Sequence, residues 1–171
     1  MLFPLTRFRT FIQASPQPLS RLLSAAGGGL YTLFRMAWFL AKTDPETYSI
    51  DNLEREKRTV WDGVTNPQAV RAIREMRPGD HVLIYHSGGV SGIVGVARVA
   101  GEPRDDPKNA KSAVVDLEFV RRLDEPVTLA EIKKSGLFAD WALVRQGRLS
   151  TMRAPEEFIA WLRDRGAKVE S

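Results

Sequence analysis

Trp38, Trp61 and Tyr85 in this 171-residue chain stand among side chains suited to hydrogen-bonding a ligand's edge rather than reacting with it. Thr43, Asp62, Asn66, His86, Ser87 and Ser150 supply donors and acceptors, and the backbone N–H groups of Gly63 and Val64 add two more. Flat apolar walls with polar groups at the rim suit a flipped or single-stranded nucleobase. Every base has a π-face and carries its identity in its edge hydrogen bonds. The stretch TVWDGVTNPQAV, residues 59–70, concentrates this chemistry. It offers Trp61 as a stacking face in a loop and glycine where the backbone must come close.

Each of these residues also has a purely structural role open to it. Trp38 is either wall or core, since a strand points alternate residues inward whatever the ligand. Tyr85 and His86 are consecutive and face opposite sides of a strand, so both line one pocket only if the strand ends or bulges at Ser87. Asn66 is placed to cap a helix, a role worth about 1 kcal/mol, and Asp62 to form a turn. Trp141 and Trp161 read as core. Arg71, Arg74 and Arg77 form one helical face, either a solvated surface or a phosphate track that starts beside the pocket.

Other chemistry is excluded by composition. There is no cysteine, so neither a disulfide nor a thiolate zinc site can form, and His81 and His86 are too few for a histidine-rich metal site. No metal or cofactor is expected. The formal net charge is +4, but residues 1–35 carry Arg7, Arg9, Arg21 and Arg35 and no acid, so from Met36 onward the 21 acidic residues meet an equal number of bases. Bulk electrostatics therefore predict weak non-specific affinity for DNA or RNA, and any such contact must come from local chemistry. The glycines of SGGVSGIVG lack the lysine of a phosphate-binding loop and open a strand rather than a helix. Adjacent His86 and Ser87 do not make a nucleophilic triad.

The elements that position these residues follow from period and caps. MAWFLA (36–41) reads as a short apolar strand, KTDPETYS as a turn at Pro45, and SIDNLEREKR as a short helix capped by Ser49. Asn66 and Pro67 open a helix that buries Ala69, Val70, Ile73 and Met76. The period then changes to two through HVLIYH, GIVGVARVA and AVVDLEFVRRL, three strands of which SGGVSG joins the first pair as a hairpin. VTLAEIKKSG carries a capping box of Thr128 with Glu131, WALVRQGRLSTM reads as a hairpin or bulged strand pair around Gly147, and PEEFIAWLRDRG closes as an amphipathic helix. The sum is an α+β fold, a curled, mostly antiparallel sheet flanked by short helices.

Residues 1–35 have no stable period and are set apart from a domain at 36–166 and a tail at 167–171. They read as sequence upstream of a natural start at Met36, which gives a cytoplasmic protein, or as a transit-like segment, which gives an organellar one. No apolar run reaches the roughly 18 residues of a membrane span.

Five motifs in order, WFLAKTDPETYSIDNL, WDGVTNPQA, GDHVLIYHS, GIVGVARV and ALVRQGRLSTM, resemble the EVE domain family over about residues 36–165. The resemblance implies a PUA-like β-barrel, related to readers of methylated adenine, with a pocket for modified nucleobases. It implies a partner that is DNA or RNA containing such a base, or a nucleotide-like small molecule; the residues themselves favour binding over catalysis, and a monomer is the expected state. Its motifs add Lys42, Arg148 and Leu149 to the pocket residues. Departures are Lys42-Thr43-Asp44-Pro45 where members commonly read Lys-Ser-Glu-Pro, Thr65 where they often have arginine, and a short 101–112 segment. Two alternatives are a protein interaction domain and a hydrolase resembling the related ASCH barrels, for which Lys42, Thr43 and Asp44 offer the residue types. Three consecutive residues of an extended chain diverge, which weighs against the hydrolase.

Overall fold

The short helices begin where side chains replace missing backbone partners. In the computed structural model, which describes residues 36–169, Ser49 and Asn52 form a reciprocal capping box at the start of α1 (Ile50–Glu56). Asn66 accepts from the Gln68 and Ala69 N–H groups at the start of α2 (Pro67–Glu75), and Thr128 with Glu131 boxes the start of α3 (Leu129–Ser135). Such caps satisfy donors that a first helical turn leaves unpaired. The helices α4 (Ala142–Arg145) and α5 (Glu156–Asp164) complete the set, and α5 buries Phe158, Ile159 and Leu162. No described helix is long and apolar enough to cross a membrane.

The strands are β1 (Trp38–Thr43), β2 (Arg58–Trp61), β3 (His81–His86), β4 (Gly92–Val99), β5 (Arg104–Asp106), β6 (Asn109–Thr128) and β7 (Thr151–Arg153). Six lie in the order β2-β6-β4-β3-β1-β7, with β5 paired to the first part of β6. The β1–β3 pair is parallel and the others are antiparallel. The fold is therefore the expected α+β class, a curled and mostly antiparallel half-barrel with five short helices around it.

Curling comes from breaks in register. The β4–β6 ladder slips twice, between Ile93 and Gly95 and between Val96 and Ala97, and each irregularity adds local twist. A Cβ at Gly95 would lie 2.7 Å from the Ile50 side chain and 2.8 Å from the Arg121 carbonyl, so only glycine lets β6 and α1 close on β4 here. Inside the curl, Phe39, Leu40, Leu83, Ile93, Leu117 and Phe158 are fully buried. Asp80 ties the open end of the sheet by accepting from Ala37 N–H and Arg77 N–H, both at 2.8 Å.

The structure corrects the sequence reading in four places. Arg58, expected at the end of the first helix, and residues 59–61, expected as a loop, are strand β2, and Trp61 is its last residue. Residues 141–152, expected as a hairpin or bulged strand pair around Gly147, hold helix α4 and a turn, and only Thr151 and Met152 at their end are strand, the start of β7, whose partner is β1. The segment 101–112 contains the β5–β6 hairpin. Beyond Gly166, expected as a tail, Val169 is buried in the core. The reading of residues 1–35 lies outside the described residues.

Candidate functional site

The ends of the strand order define a seam, and the seam holds a cleft of about 360 Å³. Its walls are Lys42 and Thr43 at the end of β1, Thr47 and Tyr48, the β2 residues Thr59 to Trp61, the segment Asp62 to Val64, and Ser150 just ahead of β7. That volume lies at the small end of the roughly 300–1,000 Å³ range of ligand pockets.

Local hydrogen bonds build each wall. Thr43 Oγ1 donates to the Tyr48 carbonyl at 2.8 Å while Tyr48 N–H donates to the Asp44 carbonyl at 2.8 Å, closing the turn that carries the phenol to the cleft. The Tyr48 hydroxyl donates to Glu56 at 2.7 Å, and burial above all raises its pKa over the ordinary phenol value. Lys42 N–H donates to the Ser150 carbonyl at 2.7 Å, so these two cleft residues are fixed to each other. The Lys42 ammonium donates to the Gly147 carbonyl at 3.2 Å and lies 5.6 Å from the centre of the Tyr85 ring, and burial lowers its pKa below the ordinary lysine value.

Strand β2 adds backbone groups. Phe119 N–H donates to the Lys57 carbonyl at 2.8 Å, which sets the phase of the β2–β6 ladder. In antiparallel pairing alternate residues exchange bonds, so Thr59 and Trp61 face β6 with their backbone groups. The N–H and C=O of Val60 therefore face the open edge, beside the cleft that Val60 lines. Trp61 is 8% exposed and belongs to the core while its rim reaches the cleft. Gly63 has φ +72° with nothing within 4 Å of a built Cβ, so glycine serves the turn itself and not a close approach of protein atoms.

Of the residues anticipated from sequence, the cleft brings together Lys42, Thr43, Trp61, Asp62, Gly63, Val64 and Ser150. The others take different places. Trp38 stacks on His81 with ring centres 4.4 Å apart and lines a separate groove of about 890 Å³ with Arg153, Pro155, Ile159 and Arg163. One face of its ring is already used. Asn66 caps α2, and Tyr85 is buried at 3% exposure beneath Lys42. His86 Nε2 accepts the Ile50 N–H, and Ser87 donates to the Thr43 carbonyl through both N–H and Oγ. Strand β3 ends at His86 and its ladder with β4 bulges between Ile84 and Tyr85, and neither Tyr85 nor His86 lines the cleft. Leu149 is core, and the exposed Arg148 precedes it outside the lining. Sequence reasoning missed Thr47, Tyr48, Thr59 and Val60 as cleft residues, although the Pro45 turn ahead of Tyr48 was a usable signal.

The geometry does not assemble a nucleophile with a base. Thr43 Oγ1 is held by the Tyr48 carbonyl, and the Asp44 carboxylate accepts the Glu46 N–H outside the cleft. Among the described residues no group of three or more His, Asp or Glu is placed to hold a metal. The Arg71, Arg74 and Arg77 face is partly engaged in internal contacts. Arg74 binds Asp105 at 2.7 Å, and Arg77 donates to the Met76 carbonyl at 3.0 Å.

A curled half-barrel with a cleft at its seam is a PUA-like architecture. The EVE domain family model matches residues 37–165, and the chain belongs to the EVE domain family. Human thymocyte nuclear protein 1 is 31% identical over 123 residues, 56% of this chain and 55% of that protein. The chain thus spans about half the length of the curated relatives it matches. A solved structure of a hypothetical protein from Leishmania major is 32% identical, with TM-score 0.71, covering 77% of this chain and 94% of that one. The human THYN1 protein, solved in complex with DNA containing 5-methylcytosine, shares the fold at TM-score 0.70 and 24% identity, covering 79% of this chain and 99% of that one.

Proposed function

We propose that this chain is a non-catalytic module that takes one modified nucleobase of a nucleic acid, DNA in the first instance, into the seam cleft. One observation carries the reading. The cleft joins two aromatic residues, Trp61 and Tyr48, to a lysine, the hydroxyl residues Thr43, Thr47, Thr59 and Ser150, and a backbone edge at Val60 that has no partner strand among the described residues. Aromatic surface gives base-tolerant affinity, and fixed donors and acceptors give discrimination. The complex of the human relative with 5-methylcytosine DNA supports the choice of ligand. The near-neutral charge of residues 36–171 supports it too, since a protein without a broad basic surface must gain affinity from the base itself. Binding without catalysis is supported by the engagement of Thr43 and Asp44 in the turn.

The test is an equilibrium titration of the full chain with short DNA strands that differ only in one cytosine, methylated or not, at two salt concentrations. The reading expects at least about a tenfold preference for the modified strand, a difference of about 1.4 kcal/mol, that persists as salt rises. Equal affinity for both strands that vanishes with salt would contradict it for this modification, and a panel with methylated adenine and RNA strands would then decide between another base and no base.

A further inference from the structure

The short hairpin of β5 and β6 brings a cation to the mouth of the cleft. Lys108, at its tip, places Nζ 3.4 Å from Asp62 Oδ2, and Asp62 is the one carboxylate among the cleft's lining residues. We propose that Lys108 is a phosphate-contacting residue that takes the phosphodiester flanking the bound base, so that the site is built for a nucleotide within a strand. This rests on the base-binding reading above.

Three observations carry it. First, the hairpin is anchored to the cleft wall. The buried Ser112 hydroxyl donates to the Val64 carbonyl, Arg74 binds Asp105 at 2.7 Å, and the buried Asp106 carboxylate accepts the Lys108 N–H at 2.8 Å. The backbone under Lys108 is therefore held while its side chain stays 81% exposed. Second, the contact with Asp62 is long and solvated, and exposed pairs of that kind are weakly held. An ammonium so placed is easily drawn to a stronger anion, and lysine binds phosphate as a point charge that needs no fixed geometry. Third, neighbouring guanidiniums are already engaged. Arg58 and Arg104 share Asp116, and Arg74 holds Asp105. Left without Lys108, the Asp62 carboxylate would repel any strand whose base entered the cleft.

The experiment compares the full chain with its Lys108→Ala variant against two probes, a short DNA strand carrying one 5-methylcytosine and the free nucleoside 5-methyl-2′-deoxycytidine, over a range of salt. The expected result is that the preference of the protein for the strand over the nucleoside falls about tenfold at low salt, and that the slope of log affinity against log salt loses about one. An unchanged slope overturns the proposal, as does an equal loss for both probes. Combining Lys108→Ala with Asp62→Asn tests for mere neutralisation. The slope should stay reduced, and full recovery of strand affinity would mean that Lys108 only masks Asp62. If the wild type binds the nucleoside and gains nothing from the strand, this proposal fails alone. If it binds neither probe, the 5-methylcytosine reading of the cleft fails with it.

Discussion

The imidazole of His86 accepts the backbone N–H of Ile50 at 3.0 Å, so the end of β3 caps the first turn of α1 and the ring turns away from the cleft. Acceptance requires a neutral Nε2, and burial lowers the pKa of His86 below the ordinary imidazole value of 6.5. The unfolded chain therefore binds this proton more readily than the folded one. The stability contribution is fully present above about pH 6.5 and is lost as pH falls through the folded pKa. Replacing His86 with Gln should reduce the loss of melting temperature between about pH 7.5 and pH 5. An identical pH profile in the variant would show that His86 titrates in the fold as it does in water.

Trp61 is both wall and core. At 8% exposure, its truncation to Ala should cost about 3–5 kcal/mol of stability by chemical denaturation, the range for a large buried aromatic. This revises the expectation from sequence, which placed Trp61 in a loop and predicted a mainly ligand-binding effect. A loss below about 1 kcal/mol would mean that the indole is not packed as described.

Tyr48 is the cleaner probe of stacking, because it sits half-buried on the turn between β1 and α1. Tyr48→Ala should remove about 1–3 kcal/mol of base affinity, the range for one aromatic–base stack, in a titration with the modified strand. Tyr48→Phe should keep most of that affinity and lose the hydroxyl's hydrogen bonds with Glu56 and Thr59, about 1–2 kcal/mol of stability. If both variants bind like the wild type, the phenol ring is not a wall.

Lys42 donates to the Gly147 carbonyl with one proton and has others to offer a ligand. Lys42→Met should weaken base binding by about 1.5–3 kcal/mol, as expected for loss of a charge-assisted hydrogen bond. Purified protein should hydrolyse no ester, amide or phosphodiester substrate. Reproducible turnover that Lys42→Met abolishes would favour the hydrolase alternative.

Local chemistry was legible in the sequence, and long-range pairing was less so. Ser49, Asn66 and Thr128 mark their helices because a cap is decided within four residues. Strand β2 has only Arg58 to Trp61, and its structure comes from pairing with Glu118 to Val115 far along the chain, which no local pattern announces. Trp38 and Lys42 do share a strand face, but four residues of strand separate them by about 13 Å, so parity alone could not put both in one cleft. Tyr48 reaches the cleft through a turn closed by Thr43 and Asp44, a contact that periodicity does not encode.

The most direct test of the central claim is a heteronuclear NMR titration of the full chain with 5-methyl-2′-deoxycytidine. Two recesses could receive it, the seam cleft and the wider groove where Trp38 stacks on His81. The account predicts saturable shifts at the Trp61 indole N–H and at the amides of Lys42, Tyr48, Val60 and Gly63, with the Trp38 indole unmoved. Saturable shifts centred on Trp38, His81 and Ile159 with the seam unperturbed would contradict it.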